Sequence, residues 1–283
     1  MIEFFNEFFQ YTFLKRAFVS CVCLALGSAP VGCLLVLRRM SLMGDALSHA
    51  VLPGAAIGYI LAGLSLPMLG IGGFISGLLV ALLSGLVSRY TDLKEDASFA
   101  GFFLIALAVG VLIISIKQNS IDLIHILFGS ALAVDDVSLM LMGIITTLTL
   151  IALAIIIRPL IIECFDPHFF QSNGGWGTFY HGFFLTLVVI NLVSGFQSLG
   201  TLLSLSIMMI PAITARFWVE RIWNLFILSA VIAFFAGLLG LMFSYYQNWP
   251  SGPSIVLVCG MFYIFSLAFG TNGSLIQKII IKK

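Results

Sequence analysis

The sequence has 283 residues, of which 61% are hydrophobic and only 9% are charged, and its formal net charge is +1. Soluble domains carry roughly a quarter charged residues, so this composition excludes a soluble globular protein and indicates an integral membrane protein. The near-zero net charge also argues against a nucleic-acid partner. Long apolar runs separated by single charges or Pro/Gly turns predict an all-α, polytopic transmembrane helical bundle.

Nine apolar runs follow one another, and each predicts a membrane span. The runs at about 177–195 and 199–214 are the weakest, and they join at residues 195–197, so the sequence predicts eight or nine spans. All of them belong to a single transmembrane domain that covers residues 1–283. In chain order the runs lie at about 16–37, 41–62, 67–88, 98–116, 137–157, 177–195, 199–214, 223–246 and 254–270.

Basic residues gather at alternate ends of these runs, which indicates the orientation. If every run spans, Arg38, Arg39, Arg89, Arg158 and Arg216 fall on one side of the membrane. The positive-inside rule makes that side the cytoplasm. The C-terminus is then cytoplasmic and the N-terminus external.

The second run carries an acid and an imidazole at membrane depth. Asp45 and His49 are four residues apart and therefore share one helix face. Pro53, four residues further on, cannot donate a hydrogen bond to the carbonyl of His49, and this predicts a helix kink at the site. Counted from the preceding arginines, Asp45 lies ~10 Å and His49 ~15 Å into a core of about 30 Å. Ionisable groups at this depth usually have a function.

A carboxylate with an imidazole suits zinc, manganese and similar divalent ions. Asp45 and His49 are therefore predicted to bind a metal transiently, as transported substrate, and no permanently bound cofactor is expected. Two side chains leave the coordination shell incomplete, so a backbone oxygen, the Ser41 or Ser48 hydroxyl, waters or another helix would have to contribute. An incomplete shell also favours release. A structural Asp–His hydrogen bond and a proton relay are the alternatives.

A second polar pair lies in the segment predicted to be external. Asp122 and His125, at i and i+3, are a possible external gate, although such pairs are more often simply solvated. The sequence has no G-x-x-x-x-G-K-[ST] loop, so the chain is not expected to bind and hydrolyse ATP. It also lacks an H-E-x-x-H motif, which argues against a zinc protease within the membrane.

Residues 38–54, RRMSLMGDALSHAVLPG, resemble the main signature of the membrane permease subunits of bacterial ABC importers for zinc and manganese. The similarity continues in order at residues 94–96, 127–130, 165–167, 210–216, 244–246 and 250–253. The resemblance implies a multi-pass protein of the bacterial plasma (inner) membrane. It also implies that this protein imports Mn²⁺ or Zn²⁺ by an ATP-driven cycle and that Asp45 and His49 line the metal route.

The resemblance also implies partners: two cytoplasmic ATP-binding subunits, an extracytoplasmic metal-binding protein and a second permease copy, giving a homodimer in membrane lipid. Residues 211–216 resemble the segment that leads into the ATPase-coupling helix of related cobalamin and siderophore permeases. ATPase coupling is therefore expected at about residues 216–223, where aromatic and charged side chains suit docking in a partner's groove. The candidate residues are Arg216, Phe217, Trp218, Glu220 and Arg221.

Three other functions remain open at this stage. The main alternative is a stand-alone, proton-coupled divalent metal transporter, which would need no ATPase. A metal-dependent membrane enzyme and a cobalamin- or siderophore-type permease are the others. Some zinc-specific relatives have Leu-Gly where this chain has Pro53-Gly54, and the Leu-Pro-Gly form resembles manganese or mixed-metal members more closely.

Overall fold

The computed structural model describes residues 11–63, 65–116, 134–172, 174–272 and 274. Within these residues every regular element is a helix, because a helix satisfies its own backbone hydrogen bonds in lipid. The helices are α1 (Thr12–Leu37), α2 (Met43–Ala50), α3 (Leu52–Ala62), α4 (Leu66–Tyr90), α5 (Glu95–Ile116), α6 (Asp136–Phe165), α7 (Pro167–Ser172), α8 (Gly177–Leu199), α9 (Thr201–Arg216), α10 (Ile222–Gln247) and α11 (Ser251–Phe269).

The predicted all-α transmembrane bundle is confirmed. In the described part of the chain, eight helical stretches are long and apolar enough to cross a membrane, and α2 with α3 forms one of them. The ninth predicted run is α9, whose 16 residues extend for about 24 Å. Helix α9 brings Arg216 back to the end of the bundle that holds Arg39, because both residues line one cleft there. Each of the nine predicted runs is thus helical.

Two predicted boundaries were wrong. Helix α6 does not end near Arg158 but continues to Phe165 with Pro159 inside it. The added stretch, about two turns long, carries Glu163, which has ion-pair partners on other helices. The turn between α8 and α9 lies at Gly200 rather than at residues 195–197. Gly200 has a φ of 91°, a conformation that glycine adopts without a Cβ clash.

Helices α1 and α8 are the most buried of the spans. Helix α1 packs against α6, α8, α9 and α10, and Gly32 lets it approach α9 so closely that a Cβ there would overlap the Met208 carbonyl. Polar side chains also link the helices inside the bundle, since Asn191 Nδ2 donates to Thr149 Oγ1 at 2.8 Å. Such small and polar residues are typical of helix contacts in membranes. Helices α2 and α3 lie beside this centre, against α4 and α5.

The two ends of the bundle carry different sets of charged residues. At one end, Arg16 of α1 pairs with Asp136 of α6 at 2.6 Å. At the other end lie Arg38, Arg89 and Glu163, which contact one another. The positive-inside rule assigns this arginine-rich end to the cytoplasm.

Candidate functional site

Asp45 and His49 lie one helical turn apart on α2. The Asp45 side chain is exposed, whereas His49 is half-buried and its ring stacks on Phe103 of α5, with ring centroids 6.3 Å apart and planes at 27°. The Ser48 hydroxyl is turned back to its own helix and donates to the Asp45 carbonyl at 2.6 Å. Neither a hydrogen bond nor an ion pair joins Asp45 to His49 among the described residues. The direct Asp–His bond considered as an alternative is therefore not formed.

The helix that carries these residues is interrupted at Val51, two residues after His49, and Val51 alone separates α2 from α3. Pro53 is the second residue of α3 and has no N–H, so the His49 carbonyl lacks its usual donor four residues on. The Val51 N–H is directed towards the carbonyls of both His49 and Leu47. Gly110 of α5 lies close to the proline, since a Cβ there would be 3.1 Å from Pro53 N. The proline is thus packed between helices rather than facing lipid.

The residue before Asp45 packs against α9. A Cβ on Gly44 would overlap the Leu205 side chain and would lie 3.2 Å from Met209 Cε. Glycine therefore lets α2 approach α9 closely while Asp45 stays on the open side of the helix. Within the described ranges, no group of three or more His, Cys, Asp or Glu side chains is arranged to hold a metal ion.

A buried ionic cluster at the cytoplasmic end was not foreseen from the sequence. The Glu163 side chain is only 3% exposed and accepts hydrogen bonds from two guanidinium groups, those of Arg38 and Arg89, the latter at 2.6 Å. Arg38 is itself 7% exposed, donates to Cys164 Sγ at 2.8 Å and lies over the Phe184 ring at 4.8 Å. The cluster joins the cytoplasmic ends of α1, α4, α6 and α8. An acid close to the end of an apolar run was the signal available in the sequence.

His181 extends this cluster to α5. Its Nδ1 contacts the Arg38 guanidinium, which can only donate, so Nδ1 must accept and the ring proton lies on Nε2. Nε2 faces the Glu95 carboxylate at 2.7 Å. His181 thus lies buried between Arg38 and Glu95.

The segment predicted to couple to an ATPase is a short connection between α9 and α10. Its backbone is held by the chain after α11, because the Asn272 N–H donates to the Phe217 carbonyl at 2.8 Å. Trp218 Nε1 donates to Ser266 Oγ at 2.8 Å, which ties the indole to α11. The other three candidates, Arg216, Glu220 and Arg221, are exposed. The connection thus presents charges on a supported backbone.

A cleft of about 710 Å³ lies beside this connection at the cytoplasmic end. Arg39, Arg216 and Glu220 supply its charges, and Phe165 and Phe217 are among its apolar walls. The possible external gate, Asp122 and His125, lies outside the described residues.

The described residues thus form a multi-pass bundle of membrane helices, one of which carries an acid and an imidazole. The ABC 3 transport family matches residues 10–270. The chain belongs to this family, and its predicted assignment to the ABC permeases is confirmed.

Similar proteins cover almost the whole chain. This chain is 36% identical to the manganese import system permease protein ScaB of Streptococcus parasanguinis over 265 residues, and the alignment covers 93% of each sequence. It is 32% identical over 277 residues to the manganese transport system membrane protein MntC of Listeria monocytogenes, covering 96% of each. Among solved structures, a chain of PsaBC from Streptococcus pneumoniae in complex with Fab matches with a TM-score of 0.84 and 32% identity, over 100% of both chains.

These likenesses establish the general role of the chain. It is a permease subunit of an ABC transporter in the bacterial plasma membrane, and it contains transport helices rather than an ATPase site. A stand-alone, proton-coupled transporter is disfavoured by this family membership.

Proposed function

We propose that this permease imports a divalent transition metal, with Mn²⁺ as its main cargo, from an external metal-binding protein to the cytoplasm. The names of ScaB and MntC, both manganese systems, support this cargo. A carboxylate and an imidazole also suit Zn²⁺, so zinc is the competing ion to be tested.

The observation that carries the proposal is the exposure of Asp45. A carboxylate within a membrane span is costly where it meets lipid, yet Asp45 is exposed on the single chain. We therefore place the α2 face with Asp45 against a second permease copy and a water-accessible route between the two copies. The half-buried His49 ring borders the same route, one turn further along.

The chemistry of the site follows from these two groups. The Asp45 carboxylate supplies charge, and His49 supplies a ring nitrogen, a ligand that divalent transition metals favour. Waters, a backbone oxygen and the second copy complete the shell of the ion. Because the protein provides few strong ligands, the ion is released when the route opens to the cytoplasm.

The remaining partners are proposed from the same resemblance. Two ATP-binding subunits dock on residues 216–223, where Arg216, Glu220 and Arg221 make the contacts. Phe217 and Trp218 support the segment from within, as the bond from Trp218 to α11 suggests. The external metal-binding protein meets the opposite end of the bundle. In this scheme the transport site and the coupling segment belong to one transmembrane domain.

The test is metal uptake into proteoliposomes that contain the permease, its ATP-binding subunits and the external binding protein. We expect uptake of Mn²⁺ that requires ATP, with Zn²⁺ as competitor, and loss of uptake in Asp45→Ala and His49→Ala while the ATP-binding subunits still co-purify. ATP-dependent uptake in either variant at the wild-type rate would remove that residue from the ligand set. Preference for Zn²⁺ over Mn²⁺ would reassign the cargo.

A further inference from the structure

The segment directly after His49 is held in place by α4. Gly54 of α3 and Gly72 of α4 meet backbone to backbone, and a Cβ on either glycine would overlap the carbonyl oxygen of the other. At the next residue of α4, a Cβ on Gly73 would lie 2.6 Å from Val51 Cγ1. Such small residues let membrane helices approach closely. Helix α4 therefore lies directly against the interruption between α2 and α3.

This close approach allows one hydroxyl to reach the ligand-bearing helix. Ser76 Oγ donates to the carbonyl of Ala50 at 2.6 Å, and Ala50 is the next residue after His49. Pro53 removes the usual helical donor to the His49 carbonyl, so the backbone at this point has less support from its own helix. The bond from α4 acts where that support is weakest.

We infer that Ser76 is a positioning residue for His49, and this inference rests on the proposed function. Ser76 does not touch the metal. Its hydroxyl fixes the backbone of Ala50, and with it the direction in which the His49 ring leaves the helix. The ring is held on its other side by Phe103. The imidazole nitrogen is thus set at one position relative to the Asp45 carboxylate before a metal arrives.

Ser76→Ala removes the hydroxyl, and Ser76→Cys keeps a side chain of similar shape with a much weaker donor. We expect both variants to raise the Mn²⁺ concentration for half-maximal uptake about three- to tenfold. This factor corresponds to the free energy of one interhelical hydrogen bond in a membrane. The maximal uptake rate should change by a smaller factor than this half-maximal Mn²⁺ concentration. Because Ser76→Cys preserves volume, a shared effect identifies the bond rather than a cavity as the cause.

Ser88→Ala is the matched control. Ser88 is also half-buried on α4, but its hydroxyl donates to the Gly85 carbonyl of its own helix at 3.0 Å. This variant should keep the wild-type Mn²⁺ dependence. All variants are compared in the full complex in proteoliposomes, with thermal unfolding of the purified permease measured alongside.

The outcomes separate the inference from the function on which it rests. A wild-type complex that takes up no metal with ATP contradicts the proposed function itself. A normal wild type with an unchanged half-saturating concentration in Ser76→Ala overturns the inference alone. The inference is also overturned if Ser76→Ala unfolds at lower temperature and transports more slowly with unaltered Mn²⁺ dependence. That result would assign Ser76 a purely structural role.

Discussion

Replacing Glu163 with glutamine removes the carboxylate that both Arg38 and Arg89 contact. The side chain is 3% exposed and Arg38 is 7% exposed, so neither group reaches bulk water. Removing one partner from a buried ion pair costs about 3–5 kcal/mol, because the remaining charge stays buried without compensation. Arg89 is 19% exposed and the glutamine carbonyl still accepts one hydrogen bond, so we expect a loss near the lower end, about 3 kcal/mol.

A loss of this size is a large fraction of the ~5–15 kcal/mol that stabilises a folded domain. Denaturant unfolding of the purified permease in mixed micelles measures it, with helix content followed by circular dichroism. Arg16→Gln is the matched control, because it breaks the Arg16–Asp136 pair at the other end, whose side chains are 35% and 75% exposed. Exposed pairs contribute only about 0–1 kcal/mol. Equal unfolding midpoints for the two variants would refute the argument that the buried cluster holds the cytoplasmic helix ends together.

Three further outcomes follow from single contacts. Gly72→Ala places a Cβ against a backbone carbonyl of α3, and we expect a loss of about 1–3 kcal/mol from overpacking, measured by the same denaturant unfolding. Trp218→Phe deletes the bond to Ser266 and should cost about 1 kcal/mol, and it should weaken co-purification with the ATP-binding subunits more than Mn²⁺ binding. Hydrogen bonds from Ser138 lower the pKa of Asp135, so their stabilising effect is present above the ordinary aspartate pKa and is lost as the pH falls through the lower folded-state value. An Asp135→Asn variant should therefore unfold with less dependence on acidic pH than the wild type.

The sequence predicted the spans well because each one is a long apolar run, and lipid leaves few alternatives to a helix. It failed where a residue's partner lies far along the chain. Arg158 and Pro159 indicated a helix end, yet α6 continues and carries Glu163, whose partners Arg38 and Arg89 are 125 and 74 residues away. Nothing local to Glu163 reveals that two arginines from other helices surround it.

The candidate site shows the same division between local and distant information. The shared face of Asp45 and His49, and the irregular helix at Pro53, follow from spacing and from the missing proline N–H. The stacking of His49 on Phe103 and the hydroxyl of Ser76 could not be predicted, because they depend on which helices become neighbours. The small residues of α4 were a visible signal of close packing, but they did not identify the partner helix.

Together these contacts constrain how α2 can move during transport. On its N-terminal side, Arg38 is held in the buried cluster, and Arg39 has a φ of 61°, a left-handed conformation uncommon for a residue other than glycine. Only a short linker then leads to Asp45. On its C-terminal side, Ser76 holds the backbone next to His49. Because both ends of α2 are tied to other helices, we expect a change at the cytoplasmic end that moves the cluster to be transmitted to the two proposed metal ligands.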